Sequence, residues 1–130
     1  QMIVDLVHAN NMVVIASNHD FIKTPAKDEL IRRMILMDEM GADVLKIAVM
    51  PKTKADVLEL LAATEEMERL YSDKPVVTMS MGPMGVISRL AGESFGSALT
   101  FGAGEKVSAP GQIPAKELKE VLDIIHKSVK

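Results

Sequence analysis

The chain has 130 residues, 48% hydrophobic and 25% charged, with a formal net charge of −3. That balance suits a single globular domain with a modest core, and no apolar run approaches the roughly 18 residues of a membrane span. Zero cysteines exclude a disulfide scaffold, a thiolate zinc site and a cysteine nucleophile, and an acidic chain with four aromatics (Phe21, Tyr71, Phe95, Phe101) lacks the basic, ring-lined face of a nucleic-acid binder.

The absence of cysteine also fits a reducing cytoplasm, and Met2–Asn10, interrupted by Asp5 and His8, does not read as a signal peptide. Met2–Val7 reads instead as the end of an amphipathic helix. The first β-branched run, Val13–Ala16, predicts a strand, and Ser17-Asn18-His19-Asp20-Phe21 follows it as a turn. Thr24-Pro25 supplies a capping hydroxyl and a proline suited to the first helical position. Leu30, Met34 and Met37 then share one face, with Ile31 and Ile35 beside them, until Gly41 ends the run. Val44–Val49 predicts the second strand. Thr53 and Asp56 form a capping box with Asp in place of Glu, and Val57, Leu60, Leu61, Thr64 and Met67 continue as a stripe that Ser72-Asp73 closes. Val76–Met79 is the third strand, followed by a short helix from Pro83 through Leu90. Ala98–Phe101 is the fourth. Pro114 opens a final helix with Leu118, Val121, Leu122 and Ile125 inward.

Strands separated by helices run parallel, with right-handed crossovers. Two architectures fit: a small doubly wound sheet, and half of a (β/α)₈ barrel. In Val44-Leu45-Lys46-Ile47-Ala48-Val49-Met50 the alternation puts Lys46, Ala48 and Met50 on one face and Leu45, Ile47 and Val49 on the other. A cation on one face is unwelcome in a sheet covered by helices on both sides and suits the interior of a barrel. The expected fold class is therefore α/β: half of a (β/α)₈ barrel, with four parallel strands and helices on one face.

Lys46 is the sharpest chemical feature. A lysine desolvated among apolar strand neighbours loses proton affinity and can offer the neutral amine that an imine requires. A strand-end lysine that reaches solvent or pairs with a carboxylate fits the same pattern. His19 stands where parallel α/β folds place their sites and has the pKa of a general acid–base group; a loop histidine capping backbone groups is the alternative. His8 and His126 read as solvated, and three scattered histidines give no metal site. Arg89 could clamp a carboxylate or pair with Glu93 one turn on. Met79 and Met81 read as packing around a pocket. The segment from Ala103 to Gln112, with Ser108 and Gln112 as its uncharged polar groups, has the composition of a lid over a polar ligand and also of an ordinary surface connection.

The strings VIASNHDF, KIAVMP, TMSMGPMGVISRLAGE, FGSALTFGA and SAPGQI, in this order and spacing, closely resemble the type I 3-dehydroquinate dehydratase family. The resemblance covers nearly all of the chain and implies a (β/α)₈ barrel enzyme of the shikimate or quinate pathway. It would convert 3-dehydroquinate to 3-dehydroshikimate and water, with no cofactor. By motif position Lys46 matches the imine-forming lysine, and His19 the histidine that serves imine formation, hydrolysis and proton removal. Arg89 matches the arginine that binds the substrate carboxylate, and Ser108 and Gln112 the loop residues that contact substrate. The resemblance also implies that residues 1–130 form one domain matching only the second, C-terminal half of a family member. A glutamate that orients the histidine and further charged residues of the first half have no counterpart here.

Four strands with helices on one face leave the other face and both edges bare, so a homodimer of two half-barrels is the expected remedy. A chain opening in mid-helix equally fits part of a longer enzyme. Three functional readings follow: an active dehydratase completed by a partner chain, a non-catalytic self-associating half-barrel, and a generic imine-forming aldolase. The third shares the lysine but not the NHDF and SAPGQ strings. A small-molecule substrate is expected, with no nucleic acid and no membrane partner.

Overall fold

The computed structural model describes residues 2–98 and 112–128. In chain order these form α1 (Met2–Ala9), β1 (Ile15–His19), α2 (Lys27–Glu39), β2 (Val44–Val49), α3 (Lys54–Glu66), β3 (Val76–Ser80), α4 (Val86–Ala91) and α5 (Ala115–Ser128). A π-helical turn, Met67–Tyr71, extends α3, and 3₁₀ turns at Pro83–Gly85 and Gly92–Phe95 flank α4.

The described sheet has the order β1-β2-β3, all parallel. A parallel bridge joins Val76 to Ser97, and the Ala98 N–H donates to the Val76 carbonyl at 2.7 Å, so the chain leaves the described region alongside β3. The fourth strand expected at Ala98–Phe101 lies, beyond Ala98, outside the described residues.

The alternation expected for β2 is present. Leu45, Ile47 and Val49 pack with Leu30, Met34, Leu60 and Met67 of the α2–α3 layer, whereas Ala48 joins Val77, Met79 and Met81 in a separate cluster flanked by Val44 and Met50. All five residues of β3 are buried, as befits a strand covered on both faces. A hydroxyl pair interrupts the helix-side core: Thr64 Oγ1 donates to the Leu60 carbonyl at 2.7 Å and lies 2.6 Å from Thr78 Oγ1. Thr64→Val strands the buried Thr78 hydroxyl and should cost about 1–3 kcal/mol in urea unfolding, of which the Thr64→Val/Thr78→Val double variant should recover part.

Element boundaries follow the sequence with two corrections, one at a helix cap and one at a strand. The Thr53–Asp56 capping box forms in both directions, and Gly41, at φ 90°, ends the α2 segment. Thr24, however, does not cap α2. Its hydroxyl donates to the Met50 carbonyl at 2.9 Å, tying the loop after β1 to the end of β2, and Ala26 occupies the cap position without a side-chain bond. The first strand begins at Ile15 and runs through His19, later and longer than the β-branched run suggested. Hydrogen bonding to β2 extends the pairing through Ser17, Asn18 and His19, where side-chain preference alone signals a turn.

His8 and His126 are not simply solvated. His8 Nε2 lies 2.8 Å from Asp43 Oδ2, and His126 Nδ1 lies 2.6 Å from Glu93 Oε1. The backbone N–H of Val14 and then His8 hold the Asp43 carboxyl below its ordinary range. α1 has no buried residue, and Met2, Ile3 and Leu6 are exposed together with Met12, Val13 and Ile15. Among the described residues no helix is long and apolar enough to cross a membrane.

Candidate active site

Parallel register aligns residues in rows across the sheet. Ser17, Lys46 and Val77 form one row, and His19, Ala48 and Met79 form the next toward the carboxyl ends of the strands. Lys46 and His19 therefore share the face opposite α2 and α3, on adjacent strands and one row apart. Strand spacing and rise put their Cα atoms about 8 Å apart, within reach of two long side chains facing one small molecule. Lys46 is half-buried, and His19 is exposed at the strand end. Ala48, buried beside His19 and next along the face from Lys46, presents only a methyl group at that position.

His19 is the last residue of β1 and not, as the sequence suggested, part of the turn beyond it. The following backbone is fixed: Asp20 N–H donates to the Ala48 carbonyl at 2.8 Å, and the Asp20 carboxylate accepts the N–H groups of Ile22 and Lys23, each at 2.9 Å. Those two bonds, from Lys23 first, hold the Asp20 carboxyl below its usual range. The His19 and Phe21 rings meet edge to face, with centroids 5.8 Å apart. On the other side of β1, Asn18 accepts from Arg33 Nη1 at 2.9 Å, which pins the strand end to α2.

The third wall comes from the turn between β3 and α4. Gly82, at φ 74°, reverses the chain and Pro83 starts the 3₁₀ turn. Ser88 Oγ then accepts the Ser80 N–H at 2.8 Å and donates to the Gly85 carbonyl at 2.7 Å, locking α4 onto the end of β3. This lock fixes the next residue, Arg89, which is 1% exposed and whose Nη1 donates to Met79 Sδ at 3.5 Å. Burial lowers the guanidinium pKa. The alternative pairing of Arg89 with Glu93 is replaced by the Glu93–His126 contact. Ser88 was not singled out in the sequence; its only signal there is a small hydroxyl residue immediately before Arg89 in a helix that follows a Gly-Pro turn.

Met79 and Met81 are both buried in the cluster on the lysine face, matching their reading as packing groups. Gln112 is half-buried ahead of α5, whereas Ser108 and nearly all of the expected lid lie outside the described residues. Among the described residues no group of three His, Cys, Asp or Glu side chains is arranged to hold a metal ion. A separate cleft lined by Glu68, Asp73, Lys74, Glu93 and Gly96 adjoins Val76, at the opposite end of β3.

A half-buried lysine in mid-strand, a histidine at the carboxyl end of the neighbouring strand and a buried arginine on the helix after β3 mark an α/β protein with a candidate site toward the carboxyl ends of a parallel sheet. Comparison with known proteins narrows this. Residues 1–129 match the family model described as type I 3-dehydroquinase, and the chain belongs to that family. It is 59% identical over 127 residues to the 3-dehydroquinate dehydratase of Clostridioides difficile strain 630, covering 98% of this chain and 50% of that relative. It is 60% identical over 125 residues to that of Salmonella paratyphi B, covering 96% and 50%. Among solved structures, the Clostridium difficile enzyme superposes with a TM-score of 0.92 at 60% identity, over 97% of this chain and 50% of the other. The Geobacillus kaustophilus enzyme gives 0.92 at 43% identity, over 100% and 51%. The chain thus spans about half the length of the relatives it matches.

Proposed function

We propose that this chain is the second, C-terminal half of a dehydroquinase barrel and carries the imine chemistry of 3-dehydroquinate dehydration in a reducing cytoplasm. The observation that carries this reading is the placement of Lys46 and His19 on one sheet face, in adjacent strands, with Arg89 fixed beside Met79 on the third. The Lys46 amine condenses with the substrate ketone and releases water, leaving an iminium that draws electrons from the neighbouring carbon. His19 removes the proton made acidic there, the β-hydroxyl leaves as water, and hydrolysis of the imine returns the free lysine with 3-dehydroshikimate. Arg89 faces the substrate carboxylate, and Ser108 and Gln112 contact substrate from the loop. A relative at 60% identity, solved with covalently modified comenic acid, supports a site capable of covalent capture.

The test is intact mass after incubation with 3-dehydroquinate and borohydride, followed by peptide mapping. A reduced adduct at Lys46 is expected. Folded protein without an adduct would leave a non-catalytic half-barrel as the better reading, favoured by the chain's spanning half the length of its relatives.

The same proposal assigns a second copy of the chain as the partner that closes the barrel. In the described sheet β1 is an edge strand, and its first residue Ile15 is exposed, as are Met12 and Val13 just before it and Ile3 and Leu6 of α1. An open strand edge rimmed by apolar side chains is a surface built to be paired. Two copies together supply about the length of one relative. Sedimentation at micromolar concentration should give a dimer, and Val13→Lys on the edge should shift it toward monomer. A wild-type monomer would rule out closure by a second copy.

A further inference from the structure

Met79 occupies the row of His19 and Ala48, 4% exposed, in a cluster whose other members are Ala48, Val77 and Met81. Within this apolar patch its sulfur lies 3.5 Å from Nη1 of Arg89. A thioether is a weak, uncharged acceptor. It can set the direction of one guanidinium N–H without neutralising the cation. A carboxylate in its place would hold the arginine more strongly and compete with an anionic ligand, and a leucine would accept nothing. Ser88 fixes the Arg89 backbone through Ser80 and Gly85, and the Met79 thioether meets the distal end of the same side chain.

We propose that Met79 is a positioning residue for Arg89, its thioether accepting from Nη1 so that the guanidinium meets a substrate carboxylate already aligned for two hydrogen bonds. This rests on the proposed dehydratase reading for its ligand, but the contact itself does not. Met79→Leu keeps the volume and removes the acceptor, whereas Met79→Gln keeps chain length and restores an acceptor.

In borohydride trapping of 3-dehydroquinate, Met79→Leu should raise the half-saturating concentration about three- to tenfold, the scale of one weak hydrogen bond, with the maximal trapping rate unchanged. Met79→Gln should remain within about twofold of the parent. An unchanged half-saturation, or a loss confined to the maximal rate, overturns the proposal. If the parent chain traps nothing, the dehydratase reading fails and nitrogen-15 NMR of the arginine side chains decides the contact alone. The Arg89 Nη signals, identified by their loss in Arg89→Lys, should shift and exchange faster with solvent in Met79→Leu and stay protected in Met79→Gln. Identical Arg89 spectra in the parent and Met79→Leu overturn it.

Discussion

Lys46→Met is expected to abolish the borohydride-trapped adduct and to lower any dehydratase turnover by a factor on the order of 10³ or more, the scale on which loss of a covalent nucleophile is felt. Methionine keeps the length and apolar stem of lysine and removes only the amine. The fold should survive, because the Lys46 face joins Val44, Ala48 and Met50 in an apolar cluster and the helix-side core of Leu45, Ile47 and Val49 is untouched. The melting temperature should stay within a few degrees of the parent, since the apolar stem and its packing are kept. Mass spectrometry and a thermal melt on the same preparation separate the two effects. An adduct surviving in Lys46→Met would move the chemistry to another lysine; a collapsed melt would make Lys46 a structural group.

Gly85→Ala is the substitution expected to cost most stability. The Gly85 backbone, at φ −91°, is open to any residue, so the demand is for space and not for conformation. A Cβ there would run into the carbonyl of Ser80 and come within 2.9 Å of its Cβ, and the backbone of a buried strand cannot step aside. The loss should be about 3 kcal/mol or more, a fall of about 10 °C in Tm. The same clash parts Ser88 from the Gly85 carbonyl and the Ser80 N–H, so Arg89 leaves its place and the carboxylate binding proposed for it should weaken along with stability. Gly92→Ala is the control: among the described residues its Cβ would meet the Ser97 side chain alone, at 3.2 Å, and it should cost about 1 kcal/mol or less. Equal urea midpoints for the two variants would show that the turn after β3 is not the tight joint described here.

Much of this was legible along the chain. The second strand, the two central helices and the Thr53 capping box follow from periodicity and from local hydrogen-bonding chemistry, which act over a few residues. The strings around His19, Lys46 and Arg89 marked the family, which the family-model match and the relatives bear out. The misreadings have a common cause. Thr24 carries a helix-cap signature yet bonds the Met50 carbonyl across the loop, and the polar Ser17-Asn18-His19 segment pairs as strand because β2 offers its edge. His8 and His126 found carboxylates 35 and 33 residues away in sequence, partners that no local pattern announces.

The sequence by itself determined the family, the alternation of strand and helix, and which face of β2 bears the lysine, because each is written in residue identity and in periods of two or 3.6. Only the tertiary structure decided that parallel register sets His19 one row beyond Lys46 on the same face. It alone decided that Ser88 locks the helix bearing Arg89 and that a methionine sulfur meets the guanidinium. Those facts depend on which strands lie side by side and how far one slides along the next, and long-range packing sets both.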